Sequence, residues 1–133
     1  MRPFALFPLM LVVVVVYNVT VTMAGANLDS TFIQAATASG APFTLTKGQA
    51  LLAFGLILLY GELFKATRTS QASIIDHALS MGVFVLALVE FLVVKSCGTG
   101  YFFLILLMCA LDVVAGFTVT ISGARRDYTP GHM

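Results

Sequence analysis

Four long apolar runs constrain this chain more than anything else in its sequence. They cover residues 4–24, 48–67, 72–94 and 101–122, and the first contains an unbroken valine block from Val12 to Val16. A helix rising ~1.5 Å per residue needs roughly 20 mostly apolar residues to cross the hydrocarbon core of a bilayer. Each run meets that length. In lipid every backbone amide must find its partner within its own segment or a closed barrel. Barrel strands would be about ten residues long with alternating polarity, and these runs do not alternate. The expected fold is therefore an all-α, four-transmembrane-helix antiparallel bundle, with residues 1–133 forming one membrane domain.

Composition supports this. Of the 133 residues, 59% are hydrophobic and 10% are charged, against about a quarter charged in ordinary soluble domains. A soluble fold of this size leaves much of its surface in water and could not hide so much apolar area. The formal charge of +1 gives no electrostatic footprint for nucleic acid. Cys97 and Cys109 are too few for a disulfide framework and lack metal-site spacing. Tryptophan is absent, so an interfacial aromatic belt would rest on Tyr and Phe.

Boundary residues suit the four helices. Thr46 and Gln49 have the spacing of a capping box at the second helix, and Ser73 with Asp76 repeat it at the third. Gly98-Thr99-Gly100 marks a tight turn before the fourth helix. These short links predict that neighbouring helices pack antiparallel. The long connection 25–47, poor in charge and rich in Ala, Thr, Ser and Gly, reads as an irregular outer loop with a short surface helix around 32–38. Residues 123–133 read as a tail whose Arg125-Arg126 pair lies on anionic head groups. With both ends cytoplasmic, Arg2, Lys65, Arg68, Arg125 and Arg126 lie inside and only Lys47 and Lys95 outside, the arrangement preferred by the positive-inside rule. Ala24-Gly25-Ala26 after the first run also fits a signal-peptidase site. Against cleavage, that run is long for a signal core and one positive charge precedes it.

Ionisable groups inside a span are costly and mark function or interhelical contact. Asp112 is the deepest, ten residues before Ser122, or ~15 Å of helix. It reads as a proton-binding carboxyl or as a hydrogen-bonded acid joining two helices through Asn18, Tyr17 or a Thr hydroxyl. Asp112, Glu90 and Asn18 form the candidate intramembrane polar site. Glu62 and Lys65, at i and i+3, read as a structural pair near the interface. His77 reads as an interfacial surface residue, and nothing completes a metal site around it. A proton ladder can be drawn through Glu90, Asp112, Glu62 and Asp76–His77, although scattered acids on four helices often give one. Gly55, Gly61, Ala78, Gly82, Ala110, Ala115 and Gly116 supply small surfaces for close helix approach, with Ala78-x-x-x-Gly82 a small-x-x-x-small match. Cys97 in the outer turn could link to another chain under oxidising conditions.

The stretches Ala66-Thr-Arg-Thr-Ser-Gln-Ala-Ser-Ile-Ile-Asp-His-Ala-Leu-Ser-Met81 and Leu111-Asp-Val-Val-Ala-Gly-Phe-Thr-Val-Thr-Ile-Ser-Gly-Ala-Arg-Arg-Asp127 resemble a group of small four-span inner-membrane proteins of alphaproteobacteria that carry no assigned activity. The resemblance extends over nearly the whole chain, least so at 25–47. It implies the topology and a bacterial inner-membrane location, and brings no catalytic residue and no cofactor. The sequence thus points to a non-enzymatic membrane protein whose partners are the lipid bilayer and either further copies of itself or another membrane protein. The alternative is a proton-linked transporter or channel component.

Overall fold

A computed structural model describes residues 7–67 and 71–127, without the side chains of residues 71–73, 119–120 and 123–127. Four helical stretches dominate it. Helix α1 (Leu9–Tyr17) continues without a break into a π-helical turn, Asn18–Met23. Next comes a hairpin of strands β1 (Thr31–Ala36) and β2 (Pro42–Thr46). Helices α2 (Lys47–Ala66) and α3 (Gln71–Val93) follow, then a short 3-10 turn at Lys95–Cys97 and helix α4 (Gly100–Asp127). Three helices, in α2, α3 and α4, are long and apolar enough to cross a membrane, which is compatible with a membrane protein. The first apolar helix, Leu9–Met23, is shorter. Its expected start at Phe4 lies outside the described residues.

The connection 25–47 departs from expectation. Instead of an irregular loop with a helix at 32–38, it forms an antiparallel hairpin whose ladder runs from Thr31↔Thr46 to Ala36↔Pro42. Thr, Phe and Ile at its start and the Phe43-Thr44-Leu45-Thr46 alternation favour a pleated strand over a helix. Gly40, at φ +86°, makes the turn, closed by Thr37 N–H to Ala41 C=O (2.9 Å) and Gly40 N–H to Thr37 C=O (2.9 Å). A bulge at Phe32 interrupts the register between Thr31 and Ile33. Helix α4 also runs beyond Ser122 to Asp127, into the expected tail. Residues 128–133 and the Arg2, Arg68, Arg125 and Arg126 side chains lie outside the described set.

Helix packing shows a second departure. Helices α2 and α3 are consecutive, yet they barely touch, and α4 stands between them. A Cβ on Gly48 would strike the Tyr101 ring, and one on Gly55 would lie 2.9 Å from Met108 Sδ. Both contacts advance by seven residues in the same direction, so α2 and α4 run parallel. The heptad step keeps one seam of each helix facing the other. On either side of this pair, α2 with α1 and α4 with α3 pack antiparallel. Gly55 and Gly61 of α2 meet Val13 and Leu9 of α1, while Phe103 and Phe117 of α4 stack on Phe91 and His77 of α3.

Capping fixes the start of α2. Thr46 accepts from Gln49 N–H (3.1 Å), and the Gln49 side chain accepts from Thr46 N–H (3.0 Å). Lys47 and Gly48 N–H donate to the Ser30 and Leu28 carbonyls. The helix therefore begins with its first donors satisfied. At α3 the expected cap differs. The helix starts at Gln71, so Ser73 lies inside it with a side chain outside the described set, and Asp76 engages Lys65 instead.

Candidate functional site

The polar side chains within the helices gather at two levels, one at each end of the bundle. At one end, α2 brings Glu62 and Lys65, the first turns of α3 bring Asp76, His77 and Ser80, and α4 brings Asp112. All six are buried. Lys65 is the hub. Its Nζ lies 3.3 Å from Glu62 Oε1 and 3.2 Å from Asp76 Oδ1, and it donates to the Phe7 carbonyl at 2.5 Å. Glu62 Oε1 also accepts the Leu9 backbone N–H. That contact caps α1 from another helix, since Pro8 has no side chain to do so, and it places a carboxylate at the positive end of the α1 dipole. Glu62 and Lys65 are thus more than an i, i+3 pair at an interface: together they hold the entry to α1 and reach α3.

Asp112 faces the Ser80 hydroxyl and stands within electrostatic range of Glu62, Asp76 and Lys65. The expected partners Tyr17 and Asn18 lie at the other end of the bundle. His77 is buried, contrary to its reading as a surface residue. Its ring packs against Phe117 at 5.1 Å and fills the space over Gly116, where a Cβ would come within 2.8 Å of His77 Cε1. Two carboxyl groups flank the Lys65 ammonium directly and a third, Asp112, lies nearby. A buried charge without a counter-charge is strongly unfavourable, so these groups depend on one another. Among the described residues no group of three or more His, Cys, Asp or Glu is arranged to hold a metal ion.

At the other end, Asn18 and Glu90 meet directly. Asn18 Nδ2 donates to Glu90 Oε1 (3.2 Å) and to its own helix at Val14 C=O (2.9 Å). The wider π turn begins at Asn18. Tyr17 donates to the Ser96 carbonyl at 2.8 Å, its hydroxyl is also 2.8 Å from Thr99 Oγ1, and Thr22 pairs with Ser96 at 2.8 Å. Cys97 is fully buried beneath this network, 3.8 Å from Asn18 Oδ1 and 3.9 Å from Glu90 Oε2. Burial first, and the Glu90 carboxylate second, hold its thiol above the usual range. It is not placed to bridge to another chain.

The structure therefore divides the residue set Asp112, Glu90 and Asn18 between two clusters. Between them lies a layer of Val13 and Val14 from α1, Val83 and Ala87 from α3, and Phe102, Ile105 and Cys109 from α4, all buried. Ser80 and Glu90 are ten residues apart on α3, so the layer is ~15 Å deep. Apart from the Cys109 thiol its side chains are hydrocarbon, and among the described residues no hydrogen bond links the two clusters across it. Sequence reasoning missed the convergence of Asp76 and the Phe7 carbonyl on Lys65, because it depends on which faces of separate helices meet. No protein-family model, curated protein or solved structure matches this chain.

Proposed function

We propose that this chain is a four-span inner-membrane protein of a bacterium, with both ends cytoplasmic, that acts without catalysis by associating with further copies of itself or as an accessory subunit of another membrane protein. One observation carries the association reading. Ala78 and Gly82 face outward on α3 with open space over Gly82, whereas Gly48, Gly55, Gly61 and Gly116 are each covered by a neighbouring helix. A small-residue ridge unused inside the bundle is suited to close approach by a helix from outside. The first helix enters this reading as a short span of 15 residues, Leu9–Met23. The test is the mass of particles extracted in native lipid. Wild type is expected as a defined oligomer or complex, and Gly82→Leu as a lone, folded chain. A wild-type monomer without co-purifying protein overturns the reading.

A second reading, a proton-linked transporter or channel component, is favoured by Asp112 and its surroundings. It requires a second conformation that opens the apolar layer, since the layer separates the two polar levels. In liposomes Asp112→Asn would then abolish a pH-dependent flux while the fold persists, and an unaltered flux removes Asp112 from that role.

A further inference from the structure

A groove of about 400 Å³ runs between the π-helical end of α1 and the first turns of α2, with Val16, Leu28, Ala50, Leu51 and Phe54 among its walls and Phe32 of the hairpin at its edge. Its lining is almost wholly hydrocarbon. Thr20, a polar liner, donates its hydroxyl to the Val16 carbonyl at 2.7 Å, so it does not solicit a polar ligand. Lys47 is the one charged side chain on the groove. It is exposed and forms no ion pair among the described residues. The groove is open along Ala50 and the partly exposed Phe54. The bulge at Phe32 accounts for the edge: the extra residue turns this ring out of the ladder register.

We propose that this groove holds one acyl chain of an anionic membrane lipid, with the head group on Lys47. Hydrocarbon walls select a chain, and a lone cation at one end selects a negative head group. The proposal rests on the membrane reading, in which α2 stands in lipid and Lys47 lies at its interfacial end. Lys95 is the internal control. It is also exposed beyond the end of a long helix on the same side of the bundle, yet it does not line this groove.

The experiment equilibrates the purified protein with vesicles of equal parts phosphatidylglycerol and phosphatidylcholine, then extracts it and counts retained lipids by native mass spectrometry. One phosphatidylglycerol per chain is expected on the wild type. Lys47→Gln is expected to lower its retention about fivefold, the worth of one interfacial cation. Ala50→Phe, which fills the groove and leaves Lys47 in place, is expected to abolish it, and Lys95→Gln to leave it unchanged. Equal losses in Lys47→Gln and Lys95→Gln would show only a diffuse basic rim and overturn the site. So would equal retention of phosphatidylcholine, or full retention in Ala50→Phe. Failure of the wild type to float with the vesicles overturns the membrane reading itself, an outcome distinct from the other three.

Discussion

Replacing Lys65 by methionine tests the Lys65 cluster most directly. Methionine matches the length and apolar stem of lysine and removes only the ammonium. Among the contacts that disappear are those to Glu62 at 3.3 Å, to Asp76 at 3.2 Å and to the Phe7 carbonyl at 2.5 Å. Glu62 and Asp76 then remain buried, at 1% and 2% exposure, with no cation between them. Removing one partner of a buried ion pair typically costs about 3–5 kcal/mol. The folded-to-unfolded ratio should thus fall by a factor of about 150 to several thousand. Unfolding measured by denaturant titration in mixed micelles reads this directly. The triple variant Lys65→Met, Glu62→Gln, Asp76→Asn removes the orphaned charges together with their counter-ion. It is expected to recover most of the loss, because the penalty is uncompensated charge rather than lost packing. A Lys65→Met stability within about 1 kcal/mol of wild type, which is the range of an exposed pair, would refute the argument that Lys65 is the shared counter-ion.

Other perturbations follow from the same geometry. Gly116→Ala puts a methyl 2.8 Å from the His77 ring and should destabilise by about 1–3 kcal/mol through overpacking, whereas Gly82→Ala meets open space and should stabilise by about 0.5–1 kcal/mol through helix propensity; thermal denaturation in detergent separates the two. Thr46→Ala removes the acceptor for Gln49 N–H and should cost about 1 kcal/mol, visible as earlier hydrogen exchange in the first turn of α2. Because burial and then Glu90 raise the Cys97 thiol, maleimide should label it more slowly than a free thiol of pKa about 8.5, and Glu90→Gln should speed the reaction. The sign for stability follows: above the free-thiol value the folded state holds a proton the unfolded chain has lost, so this contribution declines as pH rises through that range. Labelling as fast as a model thiol would contradict the burial.

Much of the helical framework was legible because length and hydropathy report it. The observed bounds of α2 and α3 lie within one residue of the apolar runs, and the Thr46–Gln49 box is a local signal that needs no tertiary context. The hairpin was obscured by its mixed composition: Ala35-Ala36-Thr37-Ala38 reads equally well as a weak helix, and only the ladder to β2 decides for strand. The two polar clusters were half legible. Glu62 with Lys65 share one helix and are visible as a spacing. Their link to Asp76, and the pairing of Asn18 with Glu90, depend on which faces of separate helices meet, and apolar helices of low amphipathicity carry little information about that. His77 was misplaced for the same reason, since the cleft that receives its ring is made by Gly116 on another helix.

The parallel contact of α2 with α4 also governs the order in which this molecule can be completed. During synthesis α1 and α2 emerge first and can settle against each other through Leu9, Val13, Gly55 and Gly61. Helix α3 then enters with little apolar packing beyond the Lys65–Asp76 pair and the Asn18–Glu90 bond, because its main surface is α4. Until Gly100 and the residues beyond it leave the ribosome, Gly48 has no Tyr101 and Gly55 no Met108 over it, and His77 has no cleft. A chain arrested after Val93 should therefore expose a loosely held third helix to translocon or protease, and release of the last segment should lock both flanks at once.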